Sequence, residues 1–276
     1  MVNAAQMIEL ILGRTGFGLL LVLASFGVSG CSDKNGENET ESGPISEPRQ
    51  LDYELVETMP HDATAFTQGL LWHDGFLYES TGGYGRSTLR KVEPKTGKVL
   101  QVRNLPRNAF GEGLVLKDDF LYQLEWKNGE GFIYGRENLQ LAGRFKYMGE
   151  GWGLAWDGKH FIVSDGTFYL RFFDPTTFQV VKAVRVRDHQ GDVDKLNELE
   201  FVDGKVYANC WYSKKILVID PQTGVVEATV DLEKLKGSSL PDPDAVLNGI
   251  AYDAKTKLFY VTGKRWPHMY AIRIKK

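Results

Sequence analysis

Residues 109–114, AFGEGL, place the carboxylate of Glu112 between two glycines and just ahead of an apolar run. Glycines let the backbone bend and leave the side chain uncrowded. A carboxylate so placed is either a turn residue facing water or an acid/base group facing a substrate. Other chemistries have less support. The five histidines, His61, His73, His160, His189 and His268, show no zinc-ligand spacing. No Gly-x-Ser-x-Gly elbow marks a serine nucleophile. Residues 81–87, TGGYGRS, are glycine-rich, but no helix pattern follows them, so they do not read as a phosphate loop. Net charge is −3, and no basic patch is dense enough to propose nucleic acid.

The elements that must position Glu112 recur along the chain. FTQGLLWHDGFLYESTG from Phe66, FGEGLVLKDDFLYQLEW from Phe110, GWGLAWDGKHFIVSDG from Gly151, LNELEFVDGKVYANCW from Leu196 and LNGIAYDAKTKLFYVTGK from Leu247 align. Each is a short apolar strand, a polar turn and a second alternating strand. The spacing of roughly 40 to 50 residues is that of propeller blades. Residues 88–105, 132–147, 170–186 and 216–232 follow as hairpins, most with Pro, Asp, Thr or Gly at their turns. Four antiparallel strands make one blade. The fifth unit has only three strands, and residues 52–60, DYELVETMP, form an alternating strand without a unit of its own. The sequence therefore predicts an all-β, five-bladed β-propeller over about residues 50–276, its last blade closed by the N-terminal strand. Closing the ring also removes an exposed edge. An open pair of sandwiches would leave the fivefold repeat unexplained.

In such a blade the loop entering the first strand and the loop leaving the second lie on one face near the axis. Phe66, Gln68, Phe110, Glu112, Trp152, Asn197 and Asn248 occupy the first position; Trp126, Asp165, Trp211 and Lys264 occupy the second. An apolar cup with a few placed polar groups is the usual form of a small-ligand site. Each residue alone also fits a packing role: aromatics as a seal, Glu112 and Lys264 as a structural ion pair, Asn197 and Asn248 as loop caps. Their coincidence at equivalent repeat positions favours a functional cup.

FTQGL, ESTGGYGRSTLR, FGEGL, GWGL, SDGT, LNELE, LNGIAYD and VTGKRWP stand in an order that resembles the plant-type glutaminyl-peptide cyclotransferases and their bacterial relatives, from about Leu51 to the C-terminus. The resemblance implies a five-bladed propeller that converts the N-terminal glutamine of peptides or proteins to pyroglutamate with release of ammonia, by metal-independent acid/base catalysis. It implies Glu112 as the acid/base residue, with Phe66, Gln68, Phe110, Trp126, Trp152, Asn197, Trp211 and Lys264 lining the pocket. Within that reaction Lys264 and Asn197 are candidates to hold the carbonyl oxygen as it gains charge. No cofactor is required, no catalytic metal is expected, and a structural calcium ion is compatible with the sequence. Two positions depart from the pattern: Gly83 replaces a larger apolar residue, and Glu125 precedes Trp126 where Thr is expected, adding a second carboxylate near the cup. Two rival readings are a metal-dependent lactonase-type propeller built on Glu112, Asn197 and Asp165, and a non-catalytic propeller binding peptides or glycans.

The remaining expectations concern the N-terminus. Residues 16–28 form an apolar run too short for a comfortable span. It ends in VSGC, residues 28–31, which resembles a bacterial lipobox with Cys31 as the lipidated residue. Residues 1–30 thus read as a lipoprotein-type signal peptide, residues 31–50 as a polar, flexible tether, and residues 51–276 as the catalytic domain. The expected location is the bacterial cell envelope, on the periplasmic side of the outer membrane, with the protein a monomer. Cys210 has no partner in the globular part, so no disulfide is expected; it reads as a small buried apolar residue.

Overall fold

The structure, a computed structural model, describes residues 43–237 and 242–275. The expected signal peptide, the expected lipidation site Cys31 and most of the expected tether lie outside the described residues. Every regular element described is a strand.

The strands form five antiparallel sheets that follow the sequence repeat, apart from a small ribbon of Arg187–Asp188 with Gly191–Asp192. From the inside outward, the first blade is Thr67–His73, Phe76–Thr81, Thr88–Glu93 and Lys98–Asn104. The second is Gly111–Lys117, Phe120–Glu125, Glu130–Gly135 and Leu141–Lys146. The third is Leu154–Trp156, Phe161–Val163, Tyr169–Phe173 and Val180–Arg185. The fourth is Leu196–Val202, Lys205–Cys210, Lys215–Ile219 and Val226–Asp231. The fifth is Leu247–Asp253, Leu258–Gly263 and His268–Ile274, with Tyr53–Pro60 paired antiparallel along His268–Ile274. The five innermost strands touch one another in order, the last against the first.

One boundary differs from expectation. Arg49 and Gln50, assigned to the tether, belong to a strand, Arg49–Leu51, that runs parallel to the outer edge of the fourth blade with Gln50 opposite Thr229. Their side chains are exposed, so composition gives no sign of order. Edge pairing draws on backbone N–H and C=O groups, which every polar residue also carries.

Alternation of apolar residues along each strand buries both faces of a blade against its neighbours. Five apolar clusters result, each shared by two successive blades. Leu71, Tyr78 and Leu89 of the first blade meet Leu114, Leu121 and Phe132 of the second, for example. Each such side chain contributes about 1.5–3 kcal/mol on burial.

At the axis the repeat has a finer structure. Gln68-Gly69-Leu70, Glu112-Gly113-Leu114, Trp152-Gly153-Leu154, Asn197-Glu198-Leu199 and Asn248-Gly249-Ile250 occupy equivalent places. The middle residue sits where inner strands crowd together. A Cβ on Gly113 would lie 2.5 Å from the amide nitrogen of Leu154 in the next blade, and one on Gly153 would collide with the carbonyl of Asn197. Glycine there lets the ring close tightly.

The fourth blade has Glu198 instead, and it crosses the axis. Its two carboxyl oxygens accept the backbone N–H groups of Ile250 (2.8 Å) and Leu70 (3.2 Å), so it joins the fourth blade to the fifth and the first. Burial raises its carboxyl well above the usual range, neighbouring Glu200 adds to this, and the two amides oppose it. Glu198→Ala removes the acceptor from two buried amides. A loss of about 2–4 kcal/mol of stability is expected, read as a lower urea midpoint with an unchanged slope.

Candidate active site

In four of the five blades a β-bulge frees the first residue of the tripeptide from the ladder, and every first residue except Asn248 lines the cup. The inner ladders skip register between Thr67 and Gly69, between Gly111 and Leu114, between Leu196 and Leu199, and between Leu247 and Ile250. Gln68, Glu112, Asn197 and Asn248 lie in those gaps. A bulge leaves a residue out of the pairing and turns its side chain away from the alternating pattern.

Phe66, Gln68, Phe110, Glu112, Trp126, Trp152, Asn197, Trp211 and Lys264 all line one cavity of about 240 Å³, joined by Asp244. These nine are the pocket residues that the family resemblance implies. Asn248 and Asp165 are not among the lining. Asn248 lies beneath, donating from Nδ2 to the Thr67 carbonyl (3.0 Å) and to Gln68 Oε1 (3.2 Å). Asp165 turns outward to Arg171, at 2.5 Å. The lactonase-type set of Glu112, Asn197 and Asp165 is therefore not assembled. Among the described residues no group of three or more His, Cys, Asp or Glu side chains is arranged to hold a metal ion.

Glu112 is 3% exposed. Its Oε1 accepts from Gln68 Nε2 at 2.7 Å, so a chain runs from Asn248 through Gln68 to the carboxylate. Oε2 is buried with no partner among the described residues. Desolvation raises its pKa well above the ordinary carboxylate value; the Lys264 charge and the Gln68 bond oppose this, and Glu125 and Glu150 add to it. Lys264 is also 3% exposed. Burial brings its pKa down to about 8 against the pull of Glu112 and Asp244. It forms no ion pair with Glu112 within 4.0 Å. Its Nζ lies over the rings of Phe66 (4.8 Å) and Trp211 (5.7 Å). Two more polar atoms are buried here without partners: Asn197 Oδ1 and Trp211 Nε1. A buried polar atom left unpaired is costly, so several around one hollow mark a place prepared for a ligand.

Aromatic rings form the wall. Trp152 meets Trp211 edge-on at 5.6 Å, and Phe110 lies 5.4 Å from Trp126 and 6.0 Å from Phe66. The glycine-rich stretch finds its use here. A Cβ on Gly82 would collide with the Phe110 ring, and Tyr84 packs on that ring at 5.3 Å. Glu125 is buried but serves its own turn, accepting the amides of Lys127 (3.0 Å) and Asn128 (2.6 Å). Cys210 is free and only partly buried; its thiol donates to the Asp194 carbonyl at 3.2 Å.

Sequence reasoning missed Asp244, Glu150 and the indole N–H of Trp211. Asp244 lies three residues before the inner strand Leu247–Asp253 and accepts a 3.3 Å bond from the Tyr212 hydroxyl. The same loop rule that found Trp152 would have found it.

The profile of the glutamine cyclotransferase family matches residues 22–274. The glutaminyl-peptide cyclotransferase of Arabidopsis thaliana is 43% identical over 228 residues, 81% of this chain and 71% of that protein. The crystal structure of the Myxococcus xanthus glutaminyl cyclase superposes with a TM-score of 0.78 at 36% identity, over 83% of this chain and 99% of that one. This chain belongs to the glutamine cyclotransferase family.

Proposed function

We propose that this protein is a glutaminyl-peptide cyclotransferase. It closes the N-terminal glutamine of a peptide or protein to pyroglutamate and releases ammonia, with Glu112 as the proton carrier. The observation that carries the reading is the set of unpartnered polar atoms, Glu112 Oε2, Asn197 Oδ1 and Trp211 Nε1, buried around one aromatic cavity beside the Lys264 ammonium. A glutaminyl head group offers complementary groups: an amine, a carboxamide N–H₂ and a carbonyl oxygen.

The reaction is intramolecular. The pocket has to hold the curled conformer in which the α-amine meets its own side-chain carbonyl carbon. The tryptophans enclose the aliphatic stem and exclude water, which strengthens polar contacts inside. The neutral amine attacks, a C–N bond forms, and the carbonyl oxygen takes the negative charge. Lys264 and the Trp211 N–H are placed to stabilise that oxygen, and Asn197 Oδ1 to accept from the carboxamide nitrogen. Glu112 takes the proton from the attacking nitrogen and returns it to the leaving one. The second C–N bond then breaks, ammonia departs and the ring carbonyl re-forms. One carboxyl thus serves as base and then as acid, for which a pKa raised toward the working pH is suited. Gln68 holds Glu112 in line for both transfers. The protein's own side chains supply every proton and dipole this sequence needs, so no cofactor is invoked.

The assay is direct. Gln-initiated dipeptides are expected to lose 17 Da as ammonia (about the mass of NH₃), measured by mass spectrometry and an ammonia-coupled reaction. Binding without ammonia release would replace the enzyme with a peptide-binding propeller. On sequence grounds the proposal extends to the N-terminus: VSGC supports a lipid anchor on Cys31 and an envelope location on the periplasmic side, with the protein acting as a monomer.

A further inference from the structure

Glu150 does not line the cavity, yet it governs two of the rings that do. It lies in the loop between the outer strand of the second blade, Leu141–Lys146, and the inner strand of the third, Leu154–Trp156. One oxygen, Oε2, accepts from both Trp126 Nε1 (2.8 Å) and Trp152 Nε1 (3.1 Å). The loop is held in turn from the third blade. Arg171 donates through Nη1 to the Met148 carbonyl and through Nη2 to the Glu150 carbonyl, each at 3.2 Å. Arg171 is itself fixed by Asp165 at 2.5 Å. Gly149 adopts φ +91°, and a Cβ there would lie 2.9 Å from Arg171 Nη1.

We propose that Glu150 is a positioning residue for cyclisation: its single oxygen locks Trp126 and Trp152 as one unit, and the Asp165–Arg171 pair holds Glu150 in place. The proposal rests on the cyclase reading only for the identity of the substrate. A buried indole N–H needs an acceptor, and an ionised one makes the stronger bond. Two indoles sharing one acceptor cannot turn independently, so the gap between them is set by one side chain. Asp165, which the repeat seemed to place in the cup, acts two steps away from it. Charge adds a second effect. The titratable groups acting on Glu112 are Lys264, Glu125 and Glu150, while Tyr84 and Tyr147 sense the Glu112 charge. The Glu150 charge disfavours ionisation of Glu112.

Variants of the full-length protein separate the two effects. Glu150→Ala frees both indoles. KM for a Gln-initiated dipeptide is expected to rise roughly tenfold with kcat far less affected, and the near-ultraviolet circular dichroism of the tryptophans should weaken. Glu150→Gln keeps an oxygen able to accept both bonds. Its KM should stay within about twofold of wild type, while the acid limb of kcat, read at saturating peptide so that titration of the free substrate amine does not set it, moves to lower pH because a negative neighbour is gone. Wild-type KM and dichroism in Glu150→Ala overturn the proposal. So does a Glu150→Gln variant with raised KM or an unmoved acid limb, and this variant decides the matter if Glu150→Ala does not fold. The dichroism needs no turnover: absence of wild-type ammonia release sinks the cyclase reading while leaving the Trp126–Trp152 lock to be judged by its spectrum.

Discussion

Glu112→Gln is expected to reduce ammonia release from a Gln-initiated dipeptide by about 10²–10⁴ while leaving the propeller folded. The substitution is close to isosteric. Its carboxamide oxygen can still accept from Gln68 Nε2, the bond that holds Glu112 at 2.7 Å. What it loses is the ability to carry a proton from one nitrogen to the other. Stability should not fall, for a reason that follows from the sign of the pKa shift. In the unfolded chain Glu112 ionises near the ordinary carboxylate value; in the fold, desolvation makes it hold its proton to higher pH. Above the unfolded pKa the folded state therefore binds more protons than the unfolded one, and this group's contribution declines as pH rises toward the folded pKa. Glutamine has no such dependence. At neutral pH the variant should melt at or above the wild-type temperature, so lost turnover cannot be attributed to unfolding. Turnover within about threefold of wild type would remove Glu112 from proton transfer.

Most of the site was readable because it is written into the repeat. Once the five tripeptides align, four of them x-Gly-apolar and the fourth blade's with Glu198 in the middle, blade topology alone brings Gln68, Glu112, Trp152 and Asn197 to one end of the axis. The bulges that aim Gln68, Glu112 and Asn197 were not visible, since a bulge is a property of two paired strands and the sequence signals it with a glycine in the first two and with nothing in the third. Asn248 obeys the rule but is used one layer down, where its amide supports Gln68. Asp165 breaks the rule for a local reason. The second strand of its blade, Phe161–Val163, is only three residues long, so the chain leaves the blade early and Asp165, two residues past the strand, meets Arg171. Glu150 carries no repeat signature because it belongs to a connection between blades. Loops of that kind are read through their partners, and the partners here are indole nitrogens that a sequence presents only as tryptophan. The tether ended early for a related reason: strand Arg49–Leu51 is held by backbone pairing to a neighbouring edge, which composition does not report.

The second large effect concerns Lys264, and here loss of function should come with gain of stability. Its ammonium is buried, lies against two aromatic rings, and has no hydrogen bond or ion pair within 4.0 Å among the described residues. No described side chain hydrogen-bonds this cation, which faces the cavity, so a substrate oxygen gaining negative charge there would be its partner. The interaction strengthens only as the transition state forms, so Lys264→Met should reduce kcat more than it raises KM, by about 10²–10³ in kcat/KM. The pH profile distinguishes this role from simple packing. Lys264 loses its proton near pH 8, while a peptide's α-amine becomes neutral at about 7.7–8.0. Wild-type kcat/KM should therefore rise to a narrow optimum close to pH 8 and fall above it. Lys264→Met should lose the alkaline fall and rise to a plateau, and Lys264→Arg should push that fall beyond the accessible range. An alkaline limb that persists near pH 8 in Lys264→Met would assign it to another group. Stability runs the opposite way. Below pH 8 Lys264 is protonated in both states, and the cost of burying that charge is fully present. Between the folded pKa of about 8 and the unfolded value the unfolded chain binds more protons, so stability from this group rises with pH. Methionine removes the cost at all pH, and a gain of about 2–3 kcal/mol at pH 7 is expected in urea unfolding. A site that retains a destabilising ammonium where a methionine would pack better holds it for the charge it meets during the reaction.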